Sequence, residues 1–186
     1  MEVKRCPWPH IADPAYEDYH DHEWGKLNLD EHYLYQMLVL ESFQAGLSWL
    51  TILRKRENFK QAFANFDYDQ VAKFDGQKVS QLMQDEGIIR NQLKINAAVN
   101  NAQVMVKLHQ SGQTLADLLK EEVPKVIVNH PQAVTDIPAK TPLSAKISKE
   151  LKKAGFKFVG PVTVYSFLQA VGLINDHLED CYFKFK

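Results

Sequence analysis

Sulfur is scarce in this 186-residue chain, which has only two cysteines, Cys6 and Cys181. That number excludes the disulfide framework of a small secreted scaffold; in a reducing compartment the two are free thiols or metal ligands. Long apolar runs are absent as well. Nothing approaches the roughly 18 residues of a membrane span, and Met1-Glu2-Val3-Lys4-Arg5-Cys6 lacks the apolar core of a signal peptide, so a cytoplasmic protein with no membrane partner is expected. An excess of charge of either sign is missing too. With 22 Lys and Arg against 23 Asp and Glu the net charge is −1, so any contact with nucleic acid must come from a local patch or from backbone amides. Alternating apolar and polar runs long enough to build a sheet are also lacking.

What is present is helical period in a chain with ordinary globular composition, 45% hydrophobic and 24% charged. The expectation is an all-α fold in which residues 1–186 form one domain. A first long helix opens near Asn28 or Asp30, with Asn28 and Glu31 at capping-box spacing, and runs to about Ala45 before Gly46 breaks it. A second covers Trp49 to Ala64, and shorter ones follow Asp67 and Asp75. Asn91 caps a helix with the apolar stripe Ile95, Ala98, Val99, Ala102 and Val106, which stops at Ser111-Gly112. Residues 121–141, with Pro124, Pro131 and Pro138, read as irregular. Thr141-Pro142 starts a helix ending near Gly155, and Gly160-Pro161 separates it from one ending at Gly172. Asn175 is expected to cap a last short helix.

Two groups of residues carry possible chemistry. His177 and Cys181 stand four apart, facing the same side if helical, and Cys6 with His20 could complete a tetrahedral zinc site with no position left for water. Such a site would be structural, clipping residues 1–25 to 173–186. Spacing leaves open the alternative of two unrelated thiols and two surface histidines. Glu41 lies on the buried stripe of the first long helix with Leu34, Met37 and Leu38. It either snorkels at the helix edge or faces a polar cavity. Trp8, Trp24 and Trp49 all lie in the first 49 residues, near Tyr16 and Tyr19. Aromatic faces plus a carboxylate suit a flat cationic ligand.

Several segments together resemble the 3-methyladenine DNA glycosylase I family: Arg5-Cys6-Pro7-Trp8, Tyr19 to Gly25, Leu40 to Trp49, Lys55 to Phe59, Gly87-Ile88-Ile89-Arg90, Lys94-Ile95, Gly155 to Pro161, and Gly172 to His177 followed by Cys181. The resemblance implies a compact helix-hairpin-helix glycosylase fold, one structural Zn2+ per chain on Cys6, His20, His177 and Cys181, and a base pocket of Trp8, Tyr19, Trp24, Glu41 and Trp49. Within that pocket it puts Glu41 and Tyr19 at the reacting base. Gly87, Ile88, Arg90 and Leu47 become the residues facing DNA, and the partner is double-stranded DNA containing alkylated adenine, met by a monomer. Two departures stand out. Lys107-Leu108-His109-Gln110 holds no aspartate where related hairpin glycosylases carry a catalytic one, an absence this family shares. The stretch Leu118 to Val123 lacks the tryptophan and phenylalanine usual there, which puts local packing in question.

Rival readings are a metal-dependent hydrolase using His20-Asp21-His22-Glu23 with His10, and a damage-binding protein that does not hydrolyse. The first suffers from geometry, because those side chains diverge on a helix and on a strand alike.

Overall fold

The computed structural model describes residues 3–185 and is mostly helical. Short polar side chains set the helix starts. Asp13 accepts from Ala15 N–H to open α1 (Pro14–His22), and Asp30 accepts from Tyr33 N–H to open α2 (Glu31–Gln44). Of the two starts the sequence allowed for α2, Asp30 is the one used. Glu31 does not close a box with Asn28; its carboxylate instead accepts from the Leu115 and Ala116 amides at the start of α7 (Leu115–Glu122). Ser48 caps α3 (Trp49–Ala62), which stops two residues short of expectation. Ala64, Asn65 and Phe66 turn left-handed, with φ of 49°, 56° and 58°, and thereby drive Phe66 into the core.

Asp67, Asp75 and Asn91 cap α4 (Tyr68–Val71), α5 (Gly76–Leu82) and α6 (Gln92–Gln110) as the sequence suggested. Thr141 caps α8 (Pro142–Ala154), which ends on left-handed Gly155, and α9 covers Pro161–Ala170. The sequence reading passed over α7. A Thr114–Asp117 capping box starts it, and Leu115, Leu119 and Val123 bury their side chains without the larger aromatics expected there.

Residues 121–141 are mostly irregular, but β1 (Ile127–Val128) pairs in parallel with β2 (Ile174–Asn175). The helix expected after Asn175 does not form. Asn175 sits in β2, and its Oδ1 accepts from His177 N–H two residues on, which closes a local turn in place of a helix start. Its amide nitrogen donates to the Lys184 carbonyl and fixes the chain beyond that turn.

Helix α2 lies at the centre, in contact with α3, α6, α7 and α9. Leu34, Tyr35, Met37, Leu38, Val39, Leu40 and Phe43 are wholly buried, so α2 is enclosed on every side and not along one stripe. A carboxylate on such a helix has no edge from which to reach bulk water. Among the described residues no helix is long and apolar enough to cross a membrane.

Candidate active site and metal centre

Several segments, Val134 and Ile137 of the irregular stretch among them, enclose a cavity of about 280 Å³ beside α2, close to the lower size of small-molecule sites. The N-terminal segment and α1 bring Trp8, Tyr16 and Tyr19, followed by Trp24. Glu41 and Gln44 come from α2, Trp49 from the start of α3, and Ser166 and Gln169 from α9. All five residues named for a pocket on sequence grounds therefore line one cavity. Sequence reasoning left out Gln44, Ser166 and Gln169, left out Val134 and Ile137 of the irregular stretch 121–141 as well, and named Tyr16 only as a neighbouring aromatic.

Glu41 is 5% exposed, that exposure opens on the cavity, and no group among the described residues hydrogen-bonds it. Burial alone pushes its carboxyl up to about 8. Burial, then the field of Glu41, raises the Tyr19 hydroxyl well above its ordinary value and raises that of Tyr16 also. Both hydroxyls therefore stay protonated as donors. Trp49 Nε1 is a buried donor without an acceptor among the described residues. The aromatic walls are braced by contact: Tyr19 meets Trp49 at 5.3 Å between ring centres, and Trp8 meets Trp24 edge to face at 4.5 Å. A partnerless carboxylate between rings favours a flat ligand that carries positive charge or N–H donors.

Behind Trp8 and Trp24 lies the second feature. The ligand atoms of Cys6, His20, His177 and Cys181 all lie within 4.8 Å of one another, and all four residues are buried. Cys181 Sγ is 3.4 Å from His177 Nδ1 and 3.7 Å from His20 Nε2, and Cys6 Sγ is 3.7 Å from His177 Nδ1. Tetrahedral Zn–S and Zn–N bonds of about 2.3 and 2.05 Å give a sulfur-to-nitrogen edge of about 3.6 Å, so the donor set fits such a metal.

The outward nitrogens are held as metal-binding histidines require. His20 Nδ1–H donates to Asp21 at 2.8 Å, and Asp21 in turn takes a forked pair of bonds from Arg5. His177 Nε2–H donates to the Trp24 carbonyl at 3.0 Å. Gly25, at φ +73°, leaves room for that ring: a Cβ there would stand 3.1 Å from His177 Cδ2. Turns, and not the helix expected, bring His177 and Cys181 together, because the chain folds back through the Asn175 turn. The histidines are wholly buried, which disposes of the surface alternative. The rings of Trp8 and Trp24 pack edge-on against His20 and His177 at 4.8 and 4.6 Å, so cavity wall and metal cluster share side chains.

The rival acidic and histidine cluster scatters. His22 is exposed and binds Asp18, Glu23 holds Arg56 with both oxygens, and only His20 joins the metal group. The segment Lys107 to Gln110 closes the far end of α6 and contributes nothing to the cavity.

The turn between α5 and α6 holds Gly87, Ile88 and Arg90. Gly87 has an ordinary φ, and what it supplies is space: a Cβ there would meet Asp85 Oδ1 at 2.9 Å and Asn58 Cβ at 3.1 Å. Its N–H is bound to Asp85 Oδ1 and the Ile88 N–H to the Asp85 carbonyl, so neither presents a donor outward, and the Ile88 side chain is buried. The amides of Ile89 and Arg90 have no acceptor among the described residues, and the Arg90 side chain is exposed. Lys55 and Asn58 of α3 brace the turn by donating to the Glu86 and Gly87 carbonyls. Leu47 is 39% exposed in the turn joining α2 to α3, between the cavity residues Gln44 and Trp49.

A mostly helical body with an aromatic cleft around a partnerless carboxylate suits a flat ligand. Its relatives make the class specific. Residues 8–185 match the family described as methyladenine glycosylase, and the chain belongs to that family. It is 44% identical over 185 residues to DNA-3-methyladenine glycosylase 1 of Escherichia coli (strain K12), with 96% of each chain covered. Among solved structures it matches a crystal structure of 3-methyladenine DNA glycosylase I with TM-score 0.93 and 42% identity, over 96% of this chain and 98% of that one. A tyrosine-to-phenylalanine variant of 3-methyladenine DNA glycosylase I in complex with 3-methyladenine matches with TM-score 0.90 and 40% identity, over 94% of each.

Proposed function

We propose that this chain is a base-excision repair enzyme that hydrolyses the N-glycosidic bond of 3-methyladenine in double-stranded DNA, releasing the free base and leaving an abasic site. The observation that carries the reading is Glu41, a buried carboxylate without a partner, set in a cavity walled by three tryptophans and two tyrosines. The relative solved with 3-methyladenine supports the choice of base.

Methylation at N3 makes the purine a cation, so it departs as a neutral base without being protonated first, while water adds at C1′ and gives up a proton. The protein has mainly to extrude the nucleotide and hold the base. Glu41 accepts from it, and Trp8, Trp24, Trp49 and Tyr19 enclose it. Leu47 is placed to fill the gap left in the stack, as apolar wedges do elsewhere. The free amides of Ile89 and Arg90, with the Arg90 guanidinium, take a phosphate in a helix-hairpin-helix manner, which suits a chain with no overall basic charge. Cys6, His20, His177 and Cys181 hold one structural Zn2+, whose chemistry is to cross-link the two chain ends. Residues 1–186 act as one glycosylase domain, a cytoplasmic monomer.

The test is incubation with DNA methylated at adenine N3, enzyme in excess. Release of free 3-methyladenine in a single turnover supports the reading. Stoichiometric binding without release overturns hydrolysis in favour of a damage sensor.

A further inference from the structure

Gln169 on α9 bridges two features. Its side chain lines the base cavity, yet its Nε2 donates at 2.6 Å to Asp176 Oδ2, on the chain just beyond β2. Asp176 is 1% exposed and accepts two more bonds at 2.6 Å, from Tyr165 OH and from Asn129 Nδ2. A carboxylate holding three donors can only accept, so the amide of Gln169 has one permitted orientation: nitrogen towards Asp176, oxygen away from it. Gln169 Oε1 accepts nothing from the described residues and remains for the cavity.

We infer that Gln169 determines specificity and that Asp176 is its positioning residue: the fixed Oε1 acceptor makes the cavity select a 6-amino over a 6-oxo purine. The inference rests on the base-excision reading and deepens it. A 6-amino group donates to Oε1, whereas a 6-oxo group sets two acceptors against each other. A glutamine free to turn would present N–H or C=O to suit either base and would sort neither. The buried carboxylate removes that freedom without touching the ligand.

The experiment titrates the full-length, metal-loaded protein with 3-methyladenine and with 3-methylhypoxanthine, which carries oxygen in place of the 6-amino group, following tryptophan fluorescence. The wild type is expected to prefer 3-methyladenine by at least about ten-fold in Kd, the scale of one mispaired buried polar group. Asp176→Asn, which lets the Gln169 amide turn, and Gln169→Leu, which removes the acceptor, each lower the ratio several-fold, the remainder being what Glu41 supplies as a second acceptor in the same cavity. Tyr165→Phe takes a different donor from Asp176 and keeps the wild-type ratio; a general loosening of the site would lower it too. A preserved preference in Gln169→Leu overturns the inference even if Asp176→Asn fails to fold. A wild type that binds both bases equally overturns it while leaving base excision intact. A wild type that binds neither base and excises none overturns the functional reading as well.

Discussion

Glu41 shows how one side chain ties stability to function. Its carboxyl is held up at about 8 by burial, against an ordinary 4.5, so near neutral pH the folded chain keeps a proton that the unfolded chain has lost. Where the folded state binds more protons, stability falls as pH rises; here it falls from about pH 4.5 to about pH 8 and then levels off. Glu41→Gln should abolish that slope and melt higher at pH 7, by on the order of 3 kcal/mol, while binding the alkylated base about ten- to hundred-fold more weakly. Thermal melts at pH 5 and pH 8, paired with base titration, check both halves; a variant whose melting follows the wild-type pH slope would place Glu41 in solvent. The sequence revealed this residue because a charge stood on a stripe with Leu34, Met37 and Leu38. Gln169 gave a fainter sign, one amide in the apolar run Phe167-Leu168-Gln169-Ala170-Val171, and its meaning depends on Asp176, whose arrival no local pattern encodes.

At the scale of elements, local chemistry was legible at most helix starts, although the equally local Thr114–Asp117 box of α7 was passed over. Asp30, Asp67, Asp75, Asn91 and Thr141 all cap helices, because a short side chain beside its own backbone amides needs no tertiary partner. The expected helix after Asn175 failed because the same side-chain chemistry also closes turns, and pairing of Ile174 with Ile127 decided between them. Lys94 was read only as part of a family segment. The structure buries it at the first turn of α6, where its ammonium donates to the Phe43 and Ala45 carbonyls and so closes the C-terminal end of α2. Desolvation lowers its pKa, yet both bonds require a donor. Lys94→Met should leave those carbonyls unpaired, cost about 1–3 kcal/mol in urea unfolding, and speed amide exchange through residues 44–48, the turn that presents Leu47. Unchanged exchange there would show that α6 does not support that turn.

In the whole molecule, the cavity and the metal cluster lean on the same tryptophans, and a change at one reaches the other. Elemental analysis should find one zinc per chain. A strong chelator should lower the melting midpoint by about 10 °C or more, since a metal that binds only the folded state stabilises it. Because Trp8 and Trp24 rest on His20 and His177, chelation should also weaken capture of free 3-methyladenine. A zinc-free protein with an unshifted melt would refute the clip. Apolar periodicity foretold the helical class but not this sharing, since Cys6 and Cys181 are distant in sequence and meet only through the tertiary fold.

The meeting of the ends has a kinetic side. Tyr182 N–H donates to the Lys4 carbonyl, Lys4 pairs with Asp180, and Cys6 lies against His177, so the contacts longest in sequence separation are those that close the chain. Loops of that length form late and slow a folding reaction. A circular permutant joined from residue 185 to residue 3 by a short flexible linker and opened at the exposed Ser111-Gly112 turn would keep every one of these contacts while making them the most local in the chain. Such a permutant should bind zinc earlier in refolding than the natural order does and reach the native state faster, with the same cavity at the end.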